Sequence, residues 1–315
     1  MRVADNTVYN SFISGYETTA AKMQKTMEQL SSEKKVNSAS DDPVAASKII
    51  SLNTSIAQNS MYSNTISNSV SWDSAQDSAL GSISDVMLNI RSLVEEAANG
   101  TNNSTDYSSI KSEVTQDIEQ IASTLNTKYG NDYVFGGENT TTAPFALSKD
   151  SNGNITGLTY SGTSQNLTRE ISDGTTVSLF ANGNEFLTAN SSNSATDTST
   201  TTANSSTLGS YFSNLISALN SGSQSSMSNL LAETDDYRNN FVNIRSSIGS
   251  LTDRLNTASS LNTSRQTDLK TDLSNVQDVD VAEAYTQFSQ EKLAYQAVLA
   301  LGTKIMDTNI LDYVN

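Results

Sequence analysis

The chain has no cysteine and no histidine among its 315 residues. Thiolate nucleophiles, Cys/His zinc sites, Ser-His-Asp triads and imidazole acid–base chemistry are excluded together. No disulfide framework is possible either, so oxidising and reducing compartments are both permitted. Proline occurs only twice and tryptophan once. Hydrophobic residues make up 36%, which is little for this length. Ser, Thr, Asn and Gln fill the gap, and long helices with narrow apolar stripes suit such a composition better than one large core. Cations are scarce: 18 Lys and Arg face 34 Asp and Glu, leaving a net charge of −16. Nucleic acid and anionic bilayers are repelled by such a surface, so neither nucleic acid nor membrane is expected as a partner. The longest strongly apolar stretch, "LAYQAVLALG" at 293–302, is too short to span a bilayer. The opening "MRVADNTVYNSFISGY" has no apolar h-region and no small-residue cleavage site, so any export is expected without a cleaved signal peptide. No phosphate-cradling "GxxxxGK" or "GxGxxG" occurs.

What is present is heptad spacing. Tyr9, Phe12, Tyr16, Thr19, Met23, Thr26 and Leu30 alternate steps of 3 and 4, the mark of a coiled-coil seam; Ile13, Ala20 and Met27 widen it. A second pattern opens with Ile49, Leu52 and Ile56 and closes with Leu80, Ile83, Met87, Ile90, Val94 and Ala97, with "NG" at 99–100 as its stop. Unbroken from Pro43 to Asn99, that is roughly 85 Å of helix, of little use to a compact enzyme. A third helix is predicted on Ile110, Val114, Ile118, Ile121 and Leu125, stopping at Gly130. Residues 132–189 then carry nearly half of the fifteen glycines and short β-type runs, "YVF", "GLTYSG" and "TVSLFANG", with turns at Asp173–Gly174 and Asn182–Gly183. Residues 190–207 are almost free of apolar side chains and read as a linker. From 208 the chain is helical again. Leu230, Thr234, Tyr237, Phe241, Ile244, Ile248, Leu251, Leu255 and Ala258 keep 4/3 alternation, and a last helix covers 279–314. Its section 293–301 is apolar nearly all round and is expected to be buried on more than one side.

Asp41 and Asp42 precede Pro43 in "NSASDDPVAAS". Adjacent carboxylates before a helix point apart and cannot form a catalytic dyad, and the nearby Ser, Asn and Lys do not complete a metal shell. The pattern is that of a helix-capping joint: Asp42 at N-cap, Pro43 at N1, and Asp41 adding charge favourable to the helix dipole. Trp72, inside the long helix, is expected to pack between helices.

Three stretches resemble one family. "QLSSEKKVNSASDDPVAASKII" at 29–50 is similar to the N-terminal signature of flagellins and flagellin-like proteins. "YVFGGENTTTAPF" at 133–145 resembles the passage from their helices into a β domain. "DVAEAYTQFSQEKLAYQAVLALGTKIMDTNILDYV" at 280–314 resembles their C-terminal helix. The "FGG…TAPF" block, the length and the ending "ILDYV" favour the hook–filament junction branch (hook-associated protein 3 family) over flagellins. Glu33 stands where the family motif usually has Gly, so helix is expected there in place of the family's turn.

The expected fold is mainly α: long antiparallel coiled-coil or helical-rod domains built from both chain ends, with a small β-rich inserted domain. The expected domains are 1–42 with 279–315 as a terminal coiled coil, 43–139 with 205–278 as a helical rod, and 140–204 as the insert. The resemblance implies a structural adaptor joining the flagellar hook side to the flagellin filament, with no cofactor and no enzymatic activity. It implies as partners other copies of itself, a neighbouring hook-associated protein, flagellin and a cytoplasmic export chaperone, with type III export to the hook–filament junction. The expected packing residues are Tyr9, Phe12, Tyr16, Met23, Leu30, Phe288, Tyr295, Val298, Leu299, Ile305 and Met306. A flagellin filament subunit is the alternative. A hydrolase using Ser or carboxylates of the insert, such as Asp173 or Glu185, is the remote one.

Overall fold

The computed structural model describes residues 2–188 and 207–311, with the backbone alone for 2–5 and 305–311. The Ser/Thr tract, apart from Thr207, and the side chains of Ile305 and Met306 lie outside the described residues. The chain is mainly helical: α1 (Arg2–Ser32), α2 (Pro43–Ala98), α3 (Ser104–Thr124), α4 (Leu208–Ser221), α5 (Gln224–Gln277) and α6 (Val281–Leu311). Between α3 and α4 lie β1 (Lys128–Tyr129), β2 (Asp132–Tyr133), β3 (Phe145–Lys149), β4 (Ile155–Tyr160), β5 (Leu167–Ser172) and β6 (Thr175–Leu179). Among the described residues the strands pair only with sequence neighbours, as three separate antiparallel hairpins.

Packing divides the chain into two compact units, 1–60 with 264–315 and 61–263. These boundaries fall inside α2 and α5, whereas the sequence divides at helix ends.

In the first unit α1 and α6 run antiparallel. Phe12 lies against Gly302, Tyr16 against Tyr295, and Lys34 bridges Asp278. Here α2 and α5 meet through Asn59, whose amide donates to Gln266 Oε1 at 2.8 Å.

In the second unit the heptad positions form the core. Leu80, Ile83, Met87, Ile90, Val94 and Ala97 of α2 are fully buried. So are Ile118 and Ile121 of α3, Tyr211, Phe212 and Leu215 of α4, and Tyr237 and Phe241 of α5. Local chemistry sets the helix ends. Asn103 and Asp106 form a capping box at the start of α3. Gly222, with φ of 59°, ends α4 and makes α5 a separate helix. The expected stop at Gly130 is corrected: α3 ends at Thr124, because Leu125–Tyr133 turns into the β1–β2 hairpin, and Gly130 with φ of 62° sits in its turn.

The hairpin region shares the helical core. Val134, Phe135, Phe145, Leu158, Val177, Leu179 and Phe186 join the same buried cluster as the helices. Phe186 stacks on Phe241 of α5 at 5.5 Å between ring centroids and meets Phe135 edge-on at 5.0 Å. The Gln76 amide of α2 donates to the carbonyls of Val134 (2.7 Å) and Phe180 (2.5 Å). Asn240 of α5 donates to those of Glu185 and Thr188. The "FGG" run follows from crowding: a Cβ on Gly136 would lie 2.3 Å from the Asn139 carbonyl oxygen, and Gly137 has φ of 67° against Thr163.

Candidate subunit-packing seam

The joint between α1 and α2 is built by Asp41 and Asp42, with different tasks. Asp42 Oδ1 accepts from the backbone N–H groups of Val44 and Ala45, both at 3.0 Å, capping α2 with Pro43 at its first position. Asp41 instead closes the preceding turn. Its Oδ2 accepts from the N–H groups of Ser38 (3.0 Å) and Asn37 (3.2 Å), and its Oδ1 pairs with Lys25 of α1 at 3.2 Å. The Ser38 N–H and then the Lys25 ammonium hold the Asp41 carboxyl below its ordinary range.

The joint between α5 and α6 repeats the device. Asp280 Oδ1 accepts from Ala282 N–H (2.9 Å) and Glu283 N–H (3.2 Å). Sequence reasoning passed over Asp280, although an Asp directly before an apolar-periodic run is an N-cap signal. The two joints are tied together: Lys35 N–H donates to the Gln277 carbonyl (2.7 Å) and Val279 N–H to that of Glu33 (3.1 Å). Glu33 is no helix residue. Helix α1 ends at Ser32, and Glu33 takes the left-handed conformation, φ 57°, the turn that Gly usually makes. Glu33→Gly is therefore expected to stabilise the chain by about 0.5–1 kcal/mol, read as a higher urea midpoint. A lower midpoint would show that the left-handed conformation carries no strain here.

Between the joints and the chain ends, α1 and α6 pack along one stripe each. On α1 the half-buried positions are Phe12, Tyr16, Thr19, Met23 and Leu30, with Thr26 buried. On α6 they are Phe288, Glu291, Tyr295 and Val298, with Ala284 and Gly302 buried. The phenol oxygens of Tyr16 and Tyr295 are 3.1 Å apart, within hydrogen-bond reach, and their rings are 5.4 Å apart. Gly302 is a notch: a Cβ there would sit 2.4 Å from the Phe12 ring. This seam is narrow and partly polar, so it buries little apolar area per turn.

Apolar side chains remain on the other faces. On α6 Tyr285, Leu293, Leu299 and Leu301 are exposed, Leu293 by 66%. Val8, Tyr9 and Met27 are exposed on α1. The expectation that 293–301 is buried on more than one side is corrected for the single chain: α1 covers one face only. Met27 likewise lies outside the stripe it was expected to widen.

The other candidates are placed elsewhere. Trp72 is buried in the second unit and meets Tyr129 edge-on at 6.2 Å. Asp173 is exposed in the β5–β6 turn, and Glu185 is half-buried, its carboxyl pushed up by burial. Neither carboxylate forms an ion pair among the described residues.

The family model for the bacterial flagellin N-terminal helical region matches residues 3–140, and that for the C-terminal helical region matches residues 231–314. Flagellar hook-associated protein 3 of Salmonella typhimurium (strain LT2) is 26% identical over 308 residues, covering 94% of this chain and 94% of that protein. The protein of the same name from Escherichia coli (strain K12) is 25% identical over the same shares. Among solved structures, the flagellar junction protein FlgL from Legionella pneumophila aligns with a TM-score of 0.55 at 15% identity, covering 73% of this chain and 99% of that one. Bacillus cereus FlgL aligns with a TM-score of 0.55 at 20% identity, covering 71% and 99%.

Proposed function

The chain belongs to the flagellin family, and from that membership we propose that it is a structural adaptor of the bacterial flagellum, joining the hook side to the flagellin filament. One observation carries the choice within the family: the relatives named hook-associated protein 3 match across 94% of both chains. The flagellin models favour the filament-subunit alternative only at the level they share with every member. A purified chain that polymerised unaided into long filaments would favour that alternative.

The mechanism is packing. Within one chain the α1–α6 seam is half-buried, and a second apolar face of α6 stays open. Other copies of the chain, a neighbouring hook-associated protein and flagellin are the partners suited to cover it, since an amphipathic helix seeks an apolar groove. Tyr9 and Leu299, both exposed, belong to this outward set. Phe12, Tyr16, Met23, Leu30, Phe288, Tyr295 and Val298 hold the two helices together first. A cytoplasmic export chaperone would cover the same helix before assembly, and export would run through the flagellar type III apparatus without a cleaved signal. Polar seam residues such as Asn59 and Asn262, both buried, trade stability for slippage between helices. Ser63 is exposed and lies off the seam.

Deleting the gene tests the adaptor reading. The expected result is hooks without filaments and flagellin lost to the medium, both restored by the full chain. Filaments of normal length on the deletion strain would overturn it.

A further inference from the structure

Between Ile66 and Leu80 the buried face of α2 turns polar. Ser69, Asp73 and Gln76 are all buried there, beside Trp72. Ser69 is satisfied within its own helix, its hydroxyl donating to the Thr65 carbonyl at 2.7 Å. The others are not. The Trp72 indole N–H, Asp73 Oδ1 and Gln76 Oε1 are buried without a hydrogen-bond partner among the described residues. The Asp73 side chain has no exposed surface, and its Oδ2 receives one long hydrogen bond, from Thr252 Oγ1 of α5 at 3.4 Å.

Among the described residues no cation compensates. One turn along α2, Asp77 holds Arg245 of α5 in two contacts of 2.8 and 3.1 Å, so that guanidinium is engaged. Asp253 and Arg254, next to Thr252 on α5, are exposed. From the β1–β2 hairpin Tyr129 presents its ring to Trp72, and Lys128 lies over the Tyr133 ring at 4.4 Å. An ionised carboxylate has about four lone-pair sites to satisfy; this one finds a single weak donor, and a buried unpaired charge is costly. A neutral acid makes no such demand.

We propose that this turn of α2 is a proton-operated weak point: the α2–α5 seam of the second unit closes tightly when Asp73 is neutral and loosens when it is ionised. Burial, opposed only by the Thr252 hydroxyl, pushes the Asp73 carboxyl up to about 6 from 3.8. The folded chain then binds more protons than the unfolded chain between those values, so stability falls as pH rises through the window. Paired surface carboxylates act in the opposite direction. The inference concerns the unit itself and stands independently of the adaptor reading.

Urea unfolding of the full chain and of Asp73→Asn at pH 5 and pH 7.5 tests it. Relative to Asp73→Asn, the wild-type folding constant is expected to fall about tenfold from pH 5 to pH 7.5. Hydrogen exchange in 66–80 and 248–255 should quicken over the same range in the wild type alone. Parallel pH profiles for the two chains would overturn the proposal. Should Asp73→Asn fail to fold, the Asp73 side-chain carboxyl carbon resonance of the wild type decides: a midpoint near 6 supports the weak point, and one in the ordinary carboxylate range removes it.

Discussion

Phe186→Ala is expected to destabilise the helical unit by about 3–5 kcal/mol, the usual cost of emptying a large buried aromatic site. Phe186 has no exposed surface. It stands where Phe135, Phe145, Phe180 and Phe241 converge, with ring centroids between 5.0 and 6.4 Å away. Four of these five rings come from the hairpin region and one from α5. Removing it therefore opens a cavity between the insert and the helix. The 3-10 turn Gly183–Phe186 is held back from that space, since the Gly183 N–H donates to the Phe135 carbonyl at 3.1 Å. Guanidinium unfolding followed at the helical circular-dichroism band should show a lower midpoint for the α-helical signal. Asp173→Ala, at the exposed β5–β6 turn, is expected to stay within about 0.5 kcal/mol of wild type. A helical midpoint unmoved by Phe186→Ala would mean that the hairpins fold apart from the helices. The same shared core implies that replacing 140–204 by a short linker would weaken the helices, not merely shorten the chain.

That dependence was hard to read in advance. The heptads of α2 and α5 are legible because a 3/4 spacing has one physical use, a stripe against other helices. Leu230, Tyr237, Phe241 and Ile248 are buried as that spacing requires. A phenylalanine on a seam, however, does not say whether its neighbour is a helix or a hairpin, so the contact of Phe241 with Phe186 is invisible in the pattern. Asp73 and Gln76 were missed for a related reason. Both continue the 3/4 register that runs from Ile66 to Leu80, but a polar side chain there breaks the apolar pattern, and only the tertiary fold reveals that the hairpins and α5 cover them. The joint was more legible, because capping is local: Asp42 and Pro43 act within four residues of each other. The division of labour between Asp42 and Asp41 was not, since the Lys25 partner comes from the previous helix. The α1–α6 seam was legible in register from Phe12 to Leu30. Its width was overestimated, because the apolar section 293–301 offers more faces than α1 alone can cover.

Those uncovered faces set the second large effect. Leu293→Asp combined with Leu301→Asp is expected to abolish filament attachment while leaving the isolated chain as stable as wild type. Leu293 and Leu301 are 66% and 56% exposed in the single chain, and eight residues apart they lie on neighbouring faces of α6, turned away from the Ala284–Tyr295–Gly302 stripe. Two aspartates there meet water in the free chain, so its unfolding midpoint should move by no more than about 0.5 kcal/mol. In an assembled joint the same positions would have to bury unpaired charge against apolar neighbours, at several kcal/mol each. Tenfold in affinity is lost for every 1.4 kcal/mol, so two such sites exceed what a helical interface can tolerate. Val298→Ala gives the contrast: it trims the α1–α6 seam, so it should lower the unfolding midpoint of the free chain, and with a smaller loss of motility. Glu283→Lys, an exposed charge in the first turn of α6, should change little, since isolated surface charges contribute roughly 0–1 kcal/mol. The measurements are unfolding of each purified variant and swimming of a deletion strain carrying it. Normal filaments with the double aspartate would show that this face of α6 meets water in the assembled flagellum, and would leave Val8, Tyr9 and Met27 of α1 as the outward contact.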